Sequence, residues 1–215
     1  DYNDIDFEKI KNKLENHKCS TKFYVQKDQD YYDDISKLLS EKKIVGFFNG
    51  KIEFGARALG NRSILWNPQI QDGKSIINNL KKREWWRPFA GVILEEDAPY
   101  WFDMKGMKSS PFMSYAVKLK NPEEYGNKIN SILHNDYTCR IQTVNSEQNI
   151  ELTNIIKTFK NILPNNPPIL GNTSFNRAGE PLIHTIDDAI TSLKSNFIEY
   201  LYFPEEEKIL YSSNT

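Results

Sequence analysis

The sequence predicts an α/β fold, a single domain in which helices flank one mixed, twisted sheet, preceded by a short helical lead-in. Three observations carry this reading. Strand-sized apolar runs alternate with helical apolar stripes along most of the 215 residues. Polar loops, several of them glycine-bearing, separate these elements. No internal repeat or low-complexity tract divides the chain.

Residues 4–17 place Phe7, Ile10 and Leu14 at helical spacing, and 18–29 reads as polar and irregular. A second helix is predicted over about 31–42, with Ile35, Leu38 and Leu39 on one face. Residues 1–42 thus form a lead-in or interdomain segment, and 43–215 the domain itself. Ile44–Phe48 is short and wholly apolar or glycine, as a strand buried on both faces would be. A polar loop over 49–63 follows, then a helix over 72–82, a strand over 89–94 and an alternating strand over 113–119. A helix over 122–132 precedes the alternating strand 138–144. Leu152, Ile155, Ile156 and Phe159 make a helical stripe, and 167–170 is a strand running into the loop GNTSFN. Thr185 and Asp188 form a capping box that opens a helix reaching Lys194, and strands at 200–203 and 208–211 finish the domain.

Composition narrows the function classes. Lys and Arg number 28 against 29 Asp and Glu, a formal net charge of −1, which argues against a nucleic-acid or membrane-surface partner. With 39% apolar and 27% charged residues and a mean hydropathy of −0.63, the chain is that of a globular domain in water. Every apolar run is strand-sized, so no membrane span is expected. Cys19 and Cys139 lie far apart and form no CxxC pair, which fits a reducing, cytoplasmic setting better than a disulfide framework or a zinc site. An opening at Asp1, directly before a predicted helix, reads as a fragment of a longer polypeptide.

Four segments could carry chemistry. In the loop 49–63, Gly50, Gly55 and Gly60 permit close backbone approach, while Lys51, Arg57 and Arg62 supply cations suited to phosphate or carboxylate oxygens. The Walker spacing is absent, and the competing reading is a solvated loop whose arginines pair with Glu53 or Asp72. In KKREWWRPFA, Lys81, Arg83 and Arg87 surround Trp85 and Trp86. An extended cationic strand there could hold a nucleotide phosphate and stack its base, but both tryptophans are expected in the core. In GNTSFN, Asn172, Thr173, Ser174 and Asn176 crowd small polar side chains at a strand end, either an anion site or self-satisfied turns. In HNDYTCR, His134 and Asp136 would share a strand face, with Arg140 and Gln142 in phase; a metal site is not expected, since no third ligand is near.

Read in order, these segments resemble the NodU-type and antibiotic-tailoring O-carbamoyltransferases over about residues 44–203. That family's C-terminal domain carries patterns like G-R-M-E-F-G-P-R-A-L-G-N-R-S-I-L, K-x-R-E-x-F-R-P-F-A-P, H-x-D-G-T-A-R-x-Q-T-V and N-T-S-F-N followed by G-E-P-I. The matches are Gly50–Leu65, Lys81–Ala90, His134–Val144, and Asn172–Asn176 with Gly179-Glu180-Pro181-Leu182. The departures include Lys51 for Arg, Ala56 for Pro, Trp85-Trp86 for a Pro-Phe pair, Gly91 for Pro, and Tyr137 where the pattern has Gly.

The resemblance implies a YrdC-like domain that follows an ASKHA-type transferase domain in the same polypeptide. It implies binding of carbamoyl phosphate and of ATP with Mg2+, formation of carbamoyl adenylate, and carbamoyl transfer to a hydroxyl of a sugar or other small molecule by the other domain. Arg57, Lys81, Arg87 and Arg140 are then expected at the phosphates as the catalytic cations. Lys51, Asn61, Arg62, Ser63, Arg83, Asn172, Thr173, Ser174 and Asn176 are expected to bind substrate or nucleotide. The alternative from another class is a non-catalytic nucleotide- or RNA-binding module; a purely structural domain with a decayed site is a third.

Overall fold

A strand that is apolar at every position must be covered on both faces, and the sheet of this protein meets that demand with two helical layers. The computed structural model describes residues 19–23, 29–204 and 208–212; the helix expected over 4–17 lies outside them. The strands are β1 Cys19–Phe23, β2 Val45–Phe48, β3 Arg62–Trp66, β4 Ala90–Leu94, β5 Phe102–Asp103, β6 Ala116–Leu119, β7 Thr138–Val144, β8 Ile169–Ser174, β9 Tyr200–Phe203 and β10 Lys208–Ser212. They form one mixed sheet in the order β1-β10-β9-β2-β3-β8-β4-β7-β6-β5. Only β2–β9 and β4–β7 pair in parallel; every other neighbour is antiparallel.

Alternation along the strands sorts side chains between two cores. Val45, Phe47, Leu65, Val92, Leu94 and Leu170 join Tyr31, Ile35 and Leu39 of α1 (Gln29–Ser40) and Leu152, Ile155, Ile156 and Phe159 of α5 (Ile150–Ile162). Phe48, Ile64, Trp66, Ile93, Ile141 and Ile169 face the other way, onto Ile77 of α2 (Gly73–Leu80) and Ala189, Ile190 and Leu193 of α6 (Ile186–Lys194). The short α3 (Ala98–Trp101) and α4 (Pro122–Tyr125) bracket β5 and β6. No helix among the described residues is long and apolar enough to cross a membrane.

The mixed sheet between helices agrees with the sequence reading, as does the capping box: Thr185 accepts from the Asp188 amide, and Asp188 accepts from that of Thr185. Several local expectations need correction. Residues 19–23, read as irregular, form a strand on β10. Arg62 and Ser63, assigned to the loop, begin β3, because the Arg62 guanidinium is buried over the Phe48 ring at 3.4 Å. Asn172, Thr173 and Ser174 likewise belong to β8 and pair with β3 and β4 rather than forming a loop. The strand expected from 113 starts at Ala116, since Met113 is left-handed at φ 55°. The helix expected over 122–132 gives way after one turn to a 3-10 turn at Gly126–Lys128, and Ile129 leaves helical space.

Two backbone positions fix local packing. Gly171 lies against the Trp66 indole, where any Cβ would collide with the ring; Trp66 in turn donates to Ser131 Oγ at 2.9 Å. Tyr137, standing where the resembled pattern has glycine, is held left-handed at φ 61° with its side chain exposed. A non-glycine residue there costs roughly 1 kcal/mol. Tyr137→Gly is therefore expected to stabilise the fold by about 1 kcal/mol, measurable as a raised midpoint in urea unfolding.

Candidate functional site

The site forms at one end of the sheet, where one lateral row crosses three strands: Arg140 of β7, Ala90 of β4 and Asn172 of β8 stand in register. Ala90, small, leaves room between the two polar side chains. Residues 49–61 connect β2 to β3 and arch over this row, their ends held by the Asn49 amide donating to Asn61 O at 2.9 Å.

A carboxylate shapes that arch from within. Glu53 Oε1 accepts from the amides of Leu59 at 2.8 Å, Asn61 at 2.7 Å and Arg62 at 3.1 Å, and Oε2 accepts from Arg62 again at 3.1 Å. The backbone nest that would attract an anion is thus filled by the protein's own anion. Glu53 is thus engaged by backbone amides, where the solvated-loop reading had it pair with the arginines. Asn61 Nδ2 donates to Lys51 O at 2.8 Å, and Ser63 Oγ accepts from the Gly60 amide at 3.0 Å. Asn149, which caps α5, also donates to Gly60 O at 3.2 Å and so ties the arch to that helix. Arg62 Nη1 donates to Asn49 O and Asn61 O at 2.9 and 3.1 Å. Asn61, Arg62 and Ser63 therefore build the arch, and Lys51 lies exposed on it, lining neither lobe described below.

Beneath the arch lies a two-lobed cleft. The inner lobe, about 140 Å³, is walled by Ala58, Arg83, Phe89, Ala90, Asn172, Thr173 and Ser174. The outer lobe, about 390 Å³, is walled by Phe54, Gly55, Leu59, Phe112 and Ser114. Ala56, Arg57, Met113 and Arg140 border both. The charged residues lining the two lobes are three arginines, Arg57, Arg83 and Arg140, with no carboxylate among them.

An amide relay orients the floor. Gln142 Nε2 donates to Leu59 O at 2.8 Å, and Asn172 Nδ2 donates to Gln142 Oε1 at 2.8 Å and to Ala58 O at 3.2 Å. With both Asn172 protons committed to acceptors, its Oδ1 must be the remaining face. That oxygen is buried and has no hydrogen-bond partner among the described residues.

The second cationic segment divides. Arg83 stacks on Phe89 at 4.3 Å, bonds Asn78 Oδ1 and Pro88 O, and lines the inner lobe. Burial and the neighbouring Arg87 bring it down to about 10. Arg87 itself faces solvent and pairs with Glu84 at 3.6 Å, outside the cavity lining. Trp85 and Trp86, expected in the core, are instead 71% and 60% exposed. The turn that carries them is fastened by Asn78 Nδ2 donating to Trp85 O and Arg87 O, which leaves the indoles outside.

Lys81 is 2% exposed at the C-cap of α2. Its Nζ donates to Ser174 O, to Ser174 Oγ at 3.3 Å, and to Asn176 O and Oδ1 at 2.6 and 3.3 Å. Ser174 Oγ donates to Asn176 Oδ1 at 2.6 Å, and Asn176 Nδ2 donates to Glu180 O at 2.8 Å. Lys81 and Asn176 thus hold the end of β8 in shape and do not line the lobes. Burial, then the charge of Arg83, pulls Lys81 from 10.5 to about 7.

His134 and Asp136 sit in a turn before β7 rather than on a strand. Thr138 Oγ1 donates to Asp136 Oδ1 at 2.7 Å, and His134 Nδ1 lies 2.8 Å from the same hydroxyl. No group of three metal-ligating side chains occurs among the described residues. A second cavity, about 340 Å³ at the start of α6, is bordered by Arg177, Glu180, His184 and Asp188, so carboxylates face its one arginine.

Sequence reasoning missed Glu53 as the organiser of the arch, and Phe54, Phe112 and Met113 as lining; a lone carboxylate beside three cations was the available signal for the first. Glu53→Ala should cost about 2 kcal/mol in urea unfolding and release the Leu59, Asn61 and Arg62 amides to hydrogen exchange. For Lys81, the unfolded chain binds the extra proton between pH 7 and 10.5, so the cost of burying it is greatest below 7 and is relieved as pH rises. The stability difference between the protein and Lys81→Met should accordingly shift in favour of the lysine from pH 7 to 9, read by thermal unfolding.

The family model of the carbamoyltransferase C-terminus matches residues 36–207. Nodulation protein NolO of Bradyrhizobium diazoefficiens is 38% identical over 179 residues, 82% of this chain and 32% of that protein. Nodulation protein U of Azorhizobium caulinodans is 30% identical over 158 residues, 74% of this chain and 27% of the relative. Among solved structures, HypF of T. kodakarensis superposes with a TM-score of 0.51 at 15% identity, over 85% of this chain and 22% of that one, a likeness of fold. The chain spans between about a quarter and a third of the length of these curated relatives. With the family model matched across both helical layers, the arch and the cleft, this chain belongs to the NodU-type carbamoyltransferases as their C-terminal domain.

Proposed function

We propose that the two-lobed cleft activates a carbamoyl group by binding carbamoyl phosphate and ATP and joining them as carbamoyl adenylate. The observation that carries this reading is a cleft whose charged lining is three arginines without a carboxylate, set over a buried acceptor that lacks a donor. Phosphate oxygens answer the arginines. The carbamoyl amide, which bears N–H and no net charge, answers Asn172 Oδ1.

The chemistry balances in two steps. Water cleaves carbamoyl phosphate to carbamate and inorganic phosphate. A carbamate oxygen then attacks the α-phosphorus of ATP, and pyrophosphate leaves. The second step brings anions together, so its demand is charge neutralisation by groups already in place. Arg57 and Arg140, at the seam of the lobes, contact phosphates from either side, and Arg83 steadies the inner one. Thr173 offers a hydroxyl at the strand end, while that of Ser174 is committed to Asn176 and Lys81. Lys81 and Asn176 act through Ser174, as positioning residues. Mg2+ arrives with ATP, held by the phosphates, because the lobes present cations and amides rather than carboxylates. Transfer of the carbamoyl group to a hydroxyl acceptor is assigned to an N-terminal ASKHA-type domain of the same polypeptide.

The test is carbamoyl-phosphate-dependent release of pyrophosphate from ATP by the full-length protein. Arg140→Ala and Arg57→Ala should each lower the rate roughly a hundredfold or more. Arg87→Ala, outside the lining, should cost less than either. Undiminished release by Arg140→Ala would remove the seam from the mechanism.

A further inference from the structure

The geometry points to Phe54 and Phe112 as an aromatic platform for the nucleobase of the bound nucleotide. This assignment rests on the activation reading above, since the ATP of that reaction is the ligand. The structural grounds are separate from it. Phe54 is 108% exposed, more open than in an extended chain, and Phe112 is 67% exposed. Open aromatic rings are unremarkable one at a time, but these two line the same 390 Å³ lobe.

The arch is anchored immediately before Phe54. The residue before it is Glu53, whose carboxylate is fixed by the Leu59, Asn61 and Arg62 amides. The residue after it is Gly55, at φ 139°, a conformation that side-chain-bearing residues rarely adopt. The arch thereby carries an apolar ring into water beside an anchored residue.

The lobes dictate the shape of the ligand. The outer lobe falls in the size range of small-molecule sites, and the inner one is far smaller. Arg57 and Arg140 border both. A ligand spanning the cleft therefore places its anionic middle at the seam and a flat, weakly polar end against Phe54 and Phe112. A nucleoside phosphate has that form, and bases stack on aromatic faces whatever their edge pattern. Trp85 and Trp86 are exposed too, but border neither lobe.

KM values for ATP and carbamoyl phosphate, read from pyrophosphate release by the full-length protein, test the platform. Phe54→Leu and Phe112→Leu should each raise KM for ATP about tenfold and leave KM for carbamoyl phosphate within about twofold. Phe54→Tyr should behave as wild type, as should Trp85→Leu and Trp86→Leu. The platform is overturned if the phenylalanine variants leave KM for ATP unchanged, or if the tryptophan variants raise it instead. Calorimetric titration with ATP separates this from the activation reading. Tighter ATP binding by wild type than by Phe54→Leu, without pyrophosphate release, upholds the platform and sinks activation; equal affinity sinks the platform alone.

Discussion

The functional end of this domain depends on one carboxylate. A connection of this length between two paired strands has no regular hydrogen bonding of its own, and its amides would ordinarily turn to water. Glu53 gathers two of those amides, and that of Arg62 at the start of β3, onto one side chain, and Asn149 holds the same arch to α5. The segment Phe54–Arg57, which roofs the cleft, is thereby bounded by Glu53 on one side and Leu59 on the other. Organising the loop this way moves its entropy cost into folding, so a ligand meets a surface already formed.

Cations that look alike in sequence have three different tasks. Arg62 is buried and serves the arch and the Phe48 ring. Lys81 is buried and serves the end of β8, its lowered proton affinity being the mark of desolvation. Arg57, Arg83 and Arg140 reach the cleft. Burial separates them, and burial depends on strand register and turn conformation rather than on charge spacing.

That difference explains what was legible in the chain. The strands flanked by turn residues, the α5 stripe and the Thr185–Asp188 box declared themselves, because periodicity and capping are local. Arg57, Arg140 and Asn172, read in a loop, on a strand and in a second loop, were joined into one site only by the family resemblance, and strand register brings Arg140 and Asn172 to either side of Ala90. β3 was not legible, because Arg62 and Ser63 read as loop residues until Phe48 and Gly60 are placed against them. The exposure of Trp85 and Trp86 was hidden for a similar reason: it is decided by Asn78, seven to nine residues away, seizing the carbonyls of their turn. Side-chain-to-backbone bonds of this kind carry no period.

The unpartnered Asn172 oxygen has a consequence for discrimination between isosteres. Its amide cannot turn over, because Gln142 and Ala58 claim both of its protons. If the proposed carbamoyl guest reaches it, an N–H would relieve that oxygen. A guest of the same outline with a methyl in that place, as acetyl stands to carbamoyl, leaves it buried and unsatisfied at a cost of about 1–3 kcal/mol. On the proposed activation reading, the pocket floor would reject the wrong acyl group by omission, through a lone pair that such a group cannot satisfy.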